Sequence, residues 1–199
     1  MICAIVLAAG ESRRMGTQKL LLPFGSCTVI ETIVRTALES SVEETLVVLG
    51  ADREKVKEVL QSYPLTFAVN ENYRSGMLSS VQAGFRALPG GTRAAVVMLG
   101  DQPSVSREIV DGLVRAYKDG TRGIIVPVHG GRRGHPVLID AGYKSEILGL
   151  DPAIGLQQLV RGHPEDVLEV PVEAAGILKD LDRPGDYRKE TGRTPGKKG

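Results

Sequence analysis

Apolar residues occur along the chain in two patterns, short unbroken runs and longer segments with helical spacing. Unbroken runs predict buried strands at 2–7, 45–49, 66–69, 94–99 and 123–128. Segments in which every third or fourth residue is apolar predict helices at 28–39, 54–60, 77–88 and 106–117. Thr28 and Glu31 have the spacing of a capping box, so we expect the first helix to begin at Thr28.

The alternation of strands and helices predicts an α/β fold with a mainly parallel sheet that helices cover on both faces. Such sheets bind ligands beyond the carboxyl ends of their strands. The segment 129–165 is less regular, and we expect it to form an insertion over the site. We predict a single domain over 1–188, followed at 189–199 by a polar, disordered tail that is rich in Gly and Lys.

Composition narrows the partners of this domain. The formal net charge is +1, so no overall attraction draws the chain to nucleic acid or to an anionic membrane. Tryptophan is absent and aromatic residues make up 4% of the chain, which argues against stacking surfaces for single-stranded nucleic acid. No apolar run reaches the ~20 residues that a membrane span needs. Cys3 and Cys27 are too few for a disulfide framework, so we expect a cytoplasmic protein with reduced thiols.

The first candidate site is the long loop after the first predicted strand. It runs through Leu7, Ala8, Ala9, Gly10, Glu11, Ser12, Arg13, Arg14, Met15 and Gly16, and Lys19 follows. Small residues let a phosphate approach the backbone, while Arg13, Arg14 and Lys19 supply positive charge. The glycine spacing fits neither the dinucleotide-binding fingerprint nor a Walker A loop, in which Lys directly follows the last Gly. The alternative is a glycine-rich turn with solvated arginines, but three cations in one loop favour phosphate binding.

A second candidate site follows the strand at 94–99, where the sequence reads Gly100, Asp101, Gln102, Pro103. Asp101 should therefore lie at the ligand-binding edge of the sheet. Carboxylate oxygens suit Mg²⁺, which shares its ligands with substrate phosphates. The alternative is an ordinary strand-ending turn, in which Gly, Asp and Pro are common.

Three weaker clusters accompany these motifs. Asn70, Gly76, Ser79 and Ser80 surround the start of a predicted helix, where they either contact a nucleotide or merely cap the helix. Arg132, Arg133 and His135 suit an anionic acceptor, although a solvated basic hairpin would look the same. Asp180 and Asp182 form an acidic cluster that could complete a metal site. The three histidines lack the spacing of a zinc site.

Taken together and in this order, these motifs resemble those of the MobA-like nucleotidyltransferase superfamily, and within it the molybdenum cofactor cytidylyltransferases. The resemblance runs from residue 2 to about residue 187. The pieces that carry it are Leu7-Ala8-Ala9-Gly10 with Ser12, Arg14, Met15, Gly16 and Lys19; Leu21-Leu22-Pro23-Phe24-Gly25; Gly76-Met77 with Ser80; Gly100-Asp101-Gln102-Pro103; Arg133-Gly134-His135-Pro136-Val137; and Asp180 with Asp182, Pro184, Asp186 and Tyr187.

The resemblance implies a three-layer, Rossmann-like α/β domain of the nucleotide-diphospho-sugar transferase type, with a mixed, mainly parallel sheet. It implies transfer of CMP from CTP to the phosphate of molybdopterin, with release of pyrophosphate. The implied catalytic residues are Lys19, Asp101 and Arg14. The implied Mg²⁺ ligands are Asp101 and Asp182, with Asp180 as the alternative second carboxylate.

The resemblance also assigns the two substrates to different residues. The implied nucleotide-binding residues are Leu7, Ala8, Ala9, Gly10, Ser12, Arg13, Arg14, Met15, Gly16, Lys19, Asn70, Gly76, Ser79, Ser80 and Gly100. The implied acceptor-binding residues are Gln102, Arg133, His135 and Pro136. The expected partners are CTP or another NTP, a molybdopterin-type phosphorylated acceptor and a molybdenum hydroxylase.

Two further hypotheses stay open from the sequence. A guanylyltransferase or a sugar-phosphate nucleotidyltransferase would use the same phosphate chemistry on different substrates. A protein that only carries the cofactor to a molybdenum hydroxylase would bind it without catalysis. Lys19 and Asp101 favour an enzyme, because a pure carrier has no need of a metal-binding carboxylate.

Overall fold

The computed structural model describes residues 1–192 and 194–195. The strands are β1 (Ile2–Ala8), β2 (Pro23–Phe24), β3 (Cys27–Thr28), β4 (Glu44–Leu49), β5 (Thr66–Val69), β6 (Ala94–Leu99), β7 (Ile124–His129), β8 (Arg132–Arg133), β9 (Val137–Asp140) and β10 (Val167–Pro171). The helices are α1 (Val29–Leu38), α2 (Arg53–Leu60), α3 (Met77–Ala87), α4 (Arg107–Asp119), α5 (Lys144–Gly149), α6 (Gln157–Gly162) and α7 (Pro184–Thr191).

Eight of these strands form one sheet in the order β10-β7-β9-β6-β1-β4-β5, with β8 paired to the end of β7. The strands β5, β4, β1 and β6 run parallel to one another, whereas β9 is antiparallel to both β6 and β7. The sheet is therefore mixed and mainly parallel, which confirms the predicted fold class. The carboxyl ends of β1, β4, β5 and β6 meet at one edge.

Helices cover both faces of the sheet. Alternate residues of a strand point to opposite faces. On one face, Ala4 and Val6 of β1 pack in a core with α1, α2, α4 and α7. On the other, Ile5 packs with α3, α5 and α6. Gly84 lets α3 approach β1 closely, since a Cβ there would lie 2.5 Å from Ile5 Cγ2.

Each strand and helix predicted from the apolar pattern is present, with ends shifted by at most two residues. The segment 129–165 does more than cover the sheet, because it supplies β8 and β9 to it and α5 and α6 to one face. Residues 189–191, the first part of the predicted tail, belong to the last turn of α7. Of the remaining predicted tail, residues 193 and 196–199 lie outside the described residues.

Within the described part of the chain, none of the helices has the length and apolar character to cross a membrane.

Candidate active site

A cleft of about 800 Å³ lies at the carboxyl ends of β1 and β6. This volume is in the range of pockets that bind small molecules. Of the residues predicted from the sequence, the cleft is lined by Leu7, Ala9, Gly10, Ser12, Arg13, Arg14, Lys19, Gly76, Ser80, Asp101, Gln102, Arg133, His135, Asp180 and Asp182. The fold thus brings together groups from the first loop, from the end of β6 and from the segment before α7.

The loop after β1 is held by its own polar side chains. Ser12 has a φ of 54°, in the left-handed region that non-glycine residues rarely adopt. Its hydroxyl donates to Gln18 Oε1 at 2.7 Å and accepts from the Lys19 amide at 3.1 Å, while Gln18 Nε2 donates to the Gly10 carbonyl at 3.3 Å. No amide of residues 10–14 donates a hydrogen bond to any described residue. Free amides in such a concave loop are suited to the oxygens of an anion.

Lys19 lies between two carboxylates. Its Nζ donates to Asp101 Oδ2 in a short hydrogen bond and to Asp182 Oδ1 at 2.9 Å. Arg14 donates to the other oxygen of Asp182 at 2.7 Å. Asp101 directly follows β6, and Asp182 comes from the far end of the chain. The Leu181 amide, which donates to the Asp101 carbonyl at 3.0 Å, holds the two segments together.

The charges of this group depend on one another. Burial opposes the positive charge of Lys19, but Asp101 and Asp182 outweigh it, so the Lys19 pKa is raised and the ammonium stays protonated. The hydrogen bond from Lys19 lowers the pKa of Asp182. Burial raises the pKa of Asp180, and the charges of Asp101 and Asp182 raise it further. Asp182 is therefore the better prepared of the two tail carboxylates to stay ionised.

The donor set fits a divalent cation that is shared with a substrate. No group of three or more His, Cys, Asp or Glu side chains suited to a metal occurs among the described residues. Two carboxylates, Asp101 and Asp182, nevertheless converge on one cation, the Lys19 ammonium. Hard oxygen ligands suit Mg²⁺, which commonly takes only one or two carboxylates and completes its shell with phosphate oxygens and water.

Gln102 and Asp180 form a buried corner of the cleft. Gln102 Nε2 donates to Asp180 Oδ1 at 2.6 Å and to the Ile177 carbonyl at 3.4 Å. His135 lines the cleft nearby, and its backbone amide donates to the same Ile177 carbonyl at 3.1 Å. Burial lowers the pKa of His135 despite the charge of Asp101, so the ring is neutral at pH 7. Arg133, whose Nε donates to Glu169 at 2.7 Å, supplies the positive charge on this side.

Eight predicted residues do not line the cleft, and they are Ala8, Met15, Gly16, Asn70, Ser79, Gly100, Arg132 and Pro136. Asn70 is 5% exposed and donates to the hydroxyls of Ser79 and Ser80 at 2.8 and 3.0 Å, which ties β5 to the start of α3. A Cβ at Gly100 would lie 2.7 Å from the Leu7 carbonyl, so this glycine permits β1 and β6 to meet. These contacts give Asn70, Ser79 and Gly100 a structural role beneath the cleft.

Some lining residues were missed from the sequence. Glu11 accepts from Arg13 at 2.6 Å and from Arg74 at 3.2 Å, which links the first loop to the turn before α3. Tyr73, Met77, Ile177 and Leu178 also line the cleft. Arg74 lies two residues before the predicted Gly76, and Met77 directly follows it. Their closeness to Gly76 in the sequence could have indicated that they line the cleft.

The chain is similar to characterised proteins over most of its length. A family model for the MobA-like NTP transferase domain matches residues 4–167. The molybdenum cofactor cytidylyltransferase of Escherichia coli (strain K12) is 29% identical over 187 residues, covering 94% of this chain and 93% of that protein. Nicotine blue oxidoreductase of Paenarthrobacter nicotinovorans is 32% identical over 154 residues, covering 73% of this chain and 74% of that protein.

Solved structures share the fold. Rv0371c from Mycobacterium tuberculosis H37Rv superposes with a TM-score of 0.87 and 26% identity, covering 96% of this chain and 97% of that one. A complex of Rv0371C with manganese superposes with a TM-score of 0.82 and 24% identity, covering 97% of this chain and 99% of that one.

Proposed function

The chain belongs to the MobA-like NTP transferase family, and we propose that it moves CMP from CTP to the phosphate of a molybdopterin-type acceptor, with release of pyrophosphate. The resemblance inferred from the motifs is thereby confirmed at the level of the family. The choice of CTP and of the acceptor rests on the cytidylyl-type motifs and on the similarity to the Escherichia coli cytidylyltransferase.

The observation that carries this proposal is the Lys19 ammonium between Asp101 and Asp182, beside a loop with free amides. Nucleotidyl transfer brings two anions together and releases a third. Positioning and electrostatic stabilisation therefore supply most of the catalysis. A fixed cation, unpaired amides and two carboxylates in one cleft are the groups that this reaction needs.

Each part of the site has a task in the proposed reaction. The amides of residues 10–14, together with Arg13, Arg14 and Lys19, bind the triphosphate through charge-assisted hydrogen bonds. The acceptor phosphate is already an anion at pH 7, since its second pKa is about 6, so no strong general base is required. Arg133 neutralises part of its charge, and neutral His135 offers a hydrogen bond. Gly76 and Ser80 line the nucleoside side.

We propose Mg²⁺ as the divalent cation, with Asp101 and Asp182 as its protein ligands. The bound ion would neutralise charge on the transferring and leaving phosphates. Lys19 has to leave at least one of the two carboxylates when the ion binds, and the triphosphate offers its ammonium new partners. The residues 1–188 act as one domain in this proposal. The free Cys3 and Cys27 are consistent with the reducing cytoplasm, where the product would pass to a molybdenum hydroxylase.

A second candidate function is redox chemistry on a heteroaromatic compound, because nicotine blue oxidoreductase is 32% identical to this chain. The cations and carboxylates of the cleft favour transfer, since a hydride acceptor does not require them. Guanylyl transfer, nucleotidyl transfer to a sugar phosphate and a pure carrier role compete with cytidylyl transfer as well.

One experiment separates these functions. The protein is incubated with Mg²⁺, molybdopterin and each NTP in turn, pyrophosphate release is measured, and the product is identified by mass. We expect release with CTP and a product heavier than the acceptor by one cytidylyl group, which is CMP less one water. Binding of molybdopterin with no pyrophosphate from any NTP would contradict the proposal and favour the carrier.

A further inference from the structure

The buried corner of the cleft beside Gln102 contains a hydrogen-bond acceptor that has no partner among the described residues. Gln102 is 3% exposed, and it lines the cleft. Its Nε2 has two partners, Asp180 Oδ1 and the Ile177 carbonyl. Its Oε1 is buried and has no hydrogen-bond partner in the described part of the chain. Among the buried side-chain polar atoms of the described residues, it alone is unpaired.

The orientation of the Gln102 amide follows from its neighbours. An ionised carboxylate and a backbone carbonyl can only accept hydrogen bonds, so the amino end of Gln102 must face Asp180 and Ile177. The carbonyl end is thereby fixed as an acceptor that faces away from them. An unpaired buried acceptor costs about 1–3 kcal/mol, and native structures retain few of them. Because Oε1 is buried, a donor on a bound ligand reaches it, and removes this cost, once the Gln102 side chain shifts toward the cleft.

The topology places this corner away from the nucleoside side. Gln102 follows β6, whereas Gly76 and Ser80 follow β5, and these two strands lie on opposite sides of β1 in the sheet. The phosphate-binding loop follows β1 itself, between them. A nucleotide that spans from Ser80 to Lys19 leaves the Gln102 corner for the other substrate. Leu178 lines the cleft here and gives a planar ring an apolar contact.

We propose that Asp180 and Gln102 recognise the acceptor through the aminopyrimidine edge of a heterocycle, in which an amino group lies beside a ring N–H. This inference rests on the proposed function, because it takes the second substrate to be an acceptor with such a ring. Asp180 accepts one N–H in a charge-assisted hydrogen bond, and Gln102 Oε1 accepts the other. Asp180 is then a specificity-determining residue of the acceptor, and Asp182 alone joins Asp101 at the cation.

Binding of two pteridines tests the proposal without any nucleotide. Pterin carries the amino group, and lumazine has an oxo group in its place. We expect the wild-type protein to bind pterin more tightly than lumazine by about ten-fold or more, as a charge-assisted hydrogen bond implies. Pteridine fluorescence titration measures both affinities. Asp180→Asn keeps the size of the side chain and an acceptor for Gln102 Nε2, and it should remove most of the preference.

Two further variants keep the test interpretable. Gln102→Met removes the unpaired acceptor and should also reduce the preference for pterin, with thermal melting as the check on folding. Asp140→Asn removes a partly buried carboxylate at the opposite end of the sheet and should leave the preference unchanged. Equal binding of the two pteridines to the wild type, binding of neither, or an unchanged preference in Asp180→Asn overturns the proposal.

A guanine base is the second possible source of such an edge, since GTP carries an amino group beside a ring N–H and ITP lacks that amino group. A loss of GTP-over-ITP discrimination in Asp180→Asn, with the pterin preference intact, would assign the corner to the nucleotide and overturn the proposal. A failure of the proposed function would give a different result from a failure of the acceptor corner. Absence of pyrophosphate release with a normal pterin preference removes the transferase activity, whereas transfer without a pterin preference removes only the acceptor corner.

Discussion

The Lys19 ammonium lies where a metal ion bound to Asp101 and Asp182 would lie. Its ammonium contacts both carboxylates, and its raised pKa keeps it charged. The ammonium and a divalent ion therefore compete for the same oxygens until a triphosphate gives Lys19 new partners. This competition would make nucleotide and metal binding favour each other, and it would keep the empty cleft from holding a metal tightly.

Lys19→Met should raise the affinity for Mn²⁺ alone and lower the affinity for CTP. Removing a positive charge within hydrogen-bond distance of two carboxylates should tighten Mn²⁺ binding by about ten-fold or more. Calorimetry with the metal alone, and then with CTP, measures both effects.

Arg14→Met is the matched control for that variant. It also removes a cation from Asp182, but the Arg14 side chain is 69% exposed and its charge is well screened. Its effect on Mn²⁺ affinity should be the smaller one. Unchanged Mn²⁺ affinity in Lys19→Met would mean that Lys19 does not occupy the metal position.

Asp101→Asn should nearly abolish transfer while the fold persists. Asn keeps the size of the side chain and the backbone carbonyl that accepts from Leu181, but it removes the charge proposed to hold Mg²⁺. Loss of such a contact should cost about 3 kcal/mol of transition-state stabilisation, roughly a hundred-fold in kcat/KM. Pyrophosphate release and thermal melting on the same sample measure the two properties.

Asp140→Asn is the control for Asp101→Asn, because we expect it to lower stability without lowering activity. Asp140 accepts from Tyr117 and from the Gly142 amide at the far end of the sheet, so its loss should lower the Tm and leave turnover per folded molecule normal. If Asp101→Asn behaved in the same way, Asp101 would be a turn residue without a catalytic role.

At the scale of elements, the first helix shows how local sequence fixes a boundary near the site. Thr28 Oγ1 accepts from the Glu31 amide at 3.3 Å, and Glu31 Oε2 accepts from the Thr28 amide at 2.8 Å. This is the capping box that the spacing of the two residues predicts. Tyr63 adds a hydrogen bond to the second carboxylate oxygen of Glu31 at 3.1 Å, which no local pattern indicates.

Glu31→Gln should lower stability at pH 7, and the loss should disappear in acid. Burial opposes the Glu31 charge, but hydrogen bonds from Thr28 and Tyr63 outweigh it, so its pKa lies below the ordinary 4.5. A lowered folded-state pKa contributes stability above pH 4.5 that is lost as the pH falls through the folded value. Urea unfolding of both proteins, at neutral pH and well below pH 4.5, gives the comparison.

Glu39→Gln, on the same helix, serves as the control. Glu39 is 56% exposed, and among the described residues its carboxylate pairs only with Arg35, at 3.6 Å, so its loss should change the free energy of unfolding by less than about 0.5 kcal/mol at either pH. A pH-independent effect of Glu31→Gln would show that the cap acts without the charge.

The strands and helices could be predicted from sequence because their periods are local. Each apolar run specifies a strand or a helical face whatever its neighbours are. The edge at which β1 and β6 end also follows from topology, so Lys19 and Asp101 were predictable as neighbours. The polar contacts within the cleft could not be predicted from the sequence. Lys19 meets Asp182 across 163 residues and Gln102 meets Asp180 across 78, and no spacing rule encodes such separations.

Residues that belong to one sequence motif also occupy different places in the structure. Asn70 and Ser79 belong to the motif assigned to the nucleoside, yet they bond to each other beneath the cleft, while Ser80 lines it. Whether a small polar residue faces a ligand or caps a helix depends on rotations that side-chain chemistry leaves free. Sequence could therefore indicate the neighbourhood of the site but not its inner surface.

For the whole molecule, the sheet divides the cleft into two sides with the phosphate-binding loop between them. We propose that the nucleoside binds beyond the end of β5 and the acceptor beyond the end of β6 and the start of β9, which lie on opposite sides of β1. Exposed Met77 and the tip of the 151–156 loop flank the nucleoside side, where Pro152 approaches Gly76. In the proposed reaction the two substrates bind at once, with their phosphates meeting near Lys19.

CTP with Mg²⁺ should stabilise the protein more than GTP with Mg²⁺ at equal concentration. A guanine base is larger than a cytosine base, and it needs buried partners for both its ring N–H and its amino group, whereas cytosine presents one amino group. A ligand at a hundred times its Kd raises the free energy of unfolding by about 2.7 kcal/mol, so a difference in Kd appears directly as a difference in Tm.

Competition for transfer, with both triphosphates present and the products separated by mass, measures the same preference in kcat/KM. UTP, close in size to CTP, distinguishes base size from hydrogen bonding, since a size filter alone would accept it. Dominant GMP transfer would overturn the cytidylyl assignment while leaving the chain a nucleotidyltransferase. Equal stabilisation by all three triphosphates would mean that the cleft binds the phosphates and leaves the base in solvent.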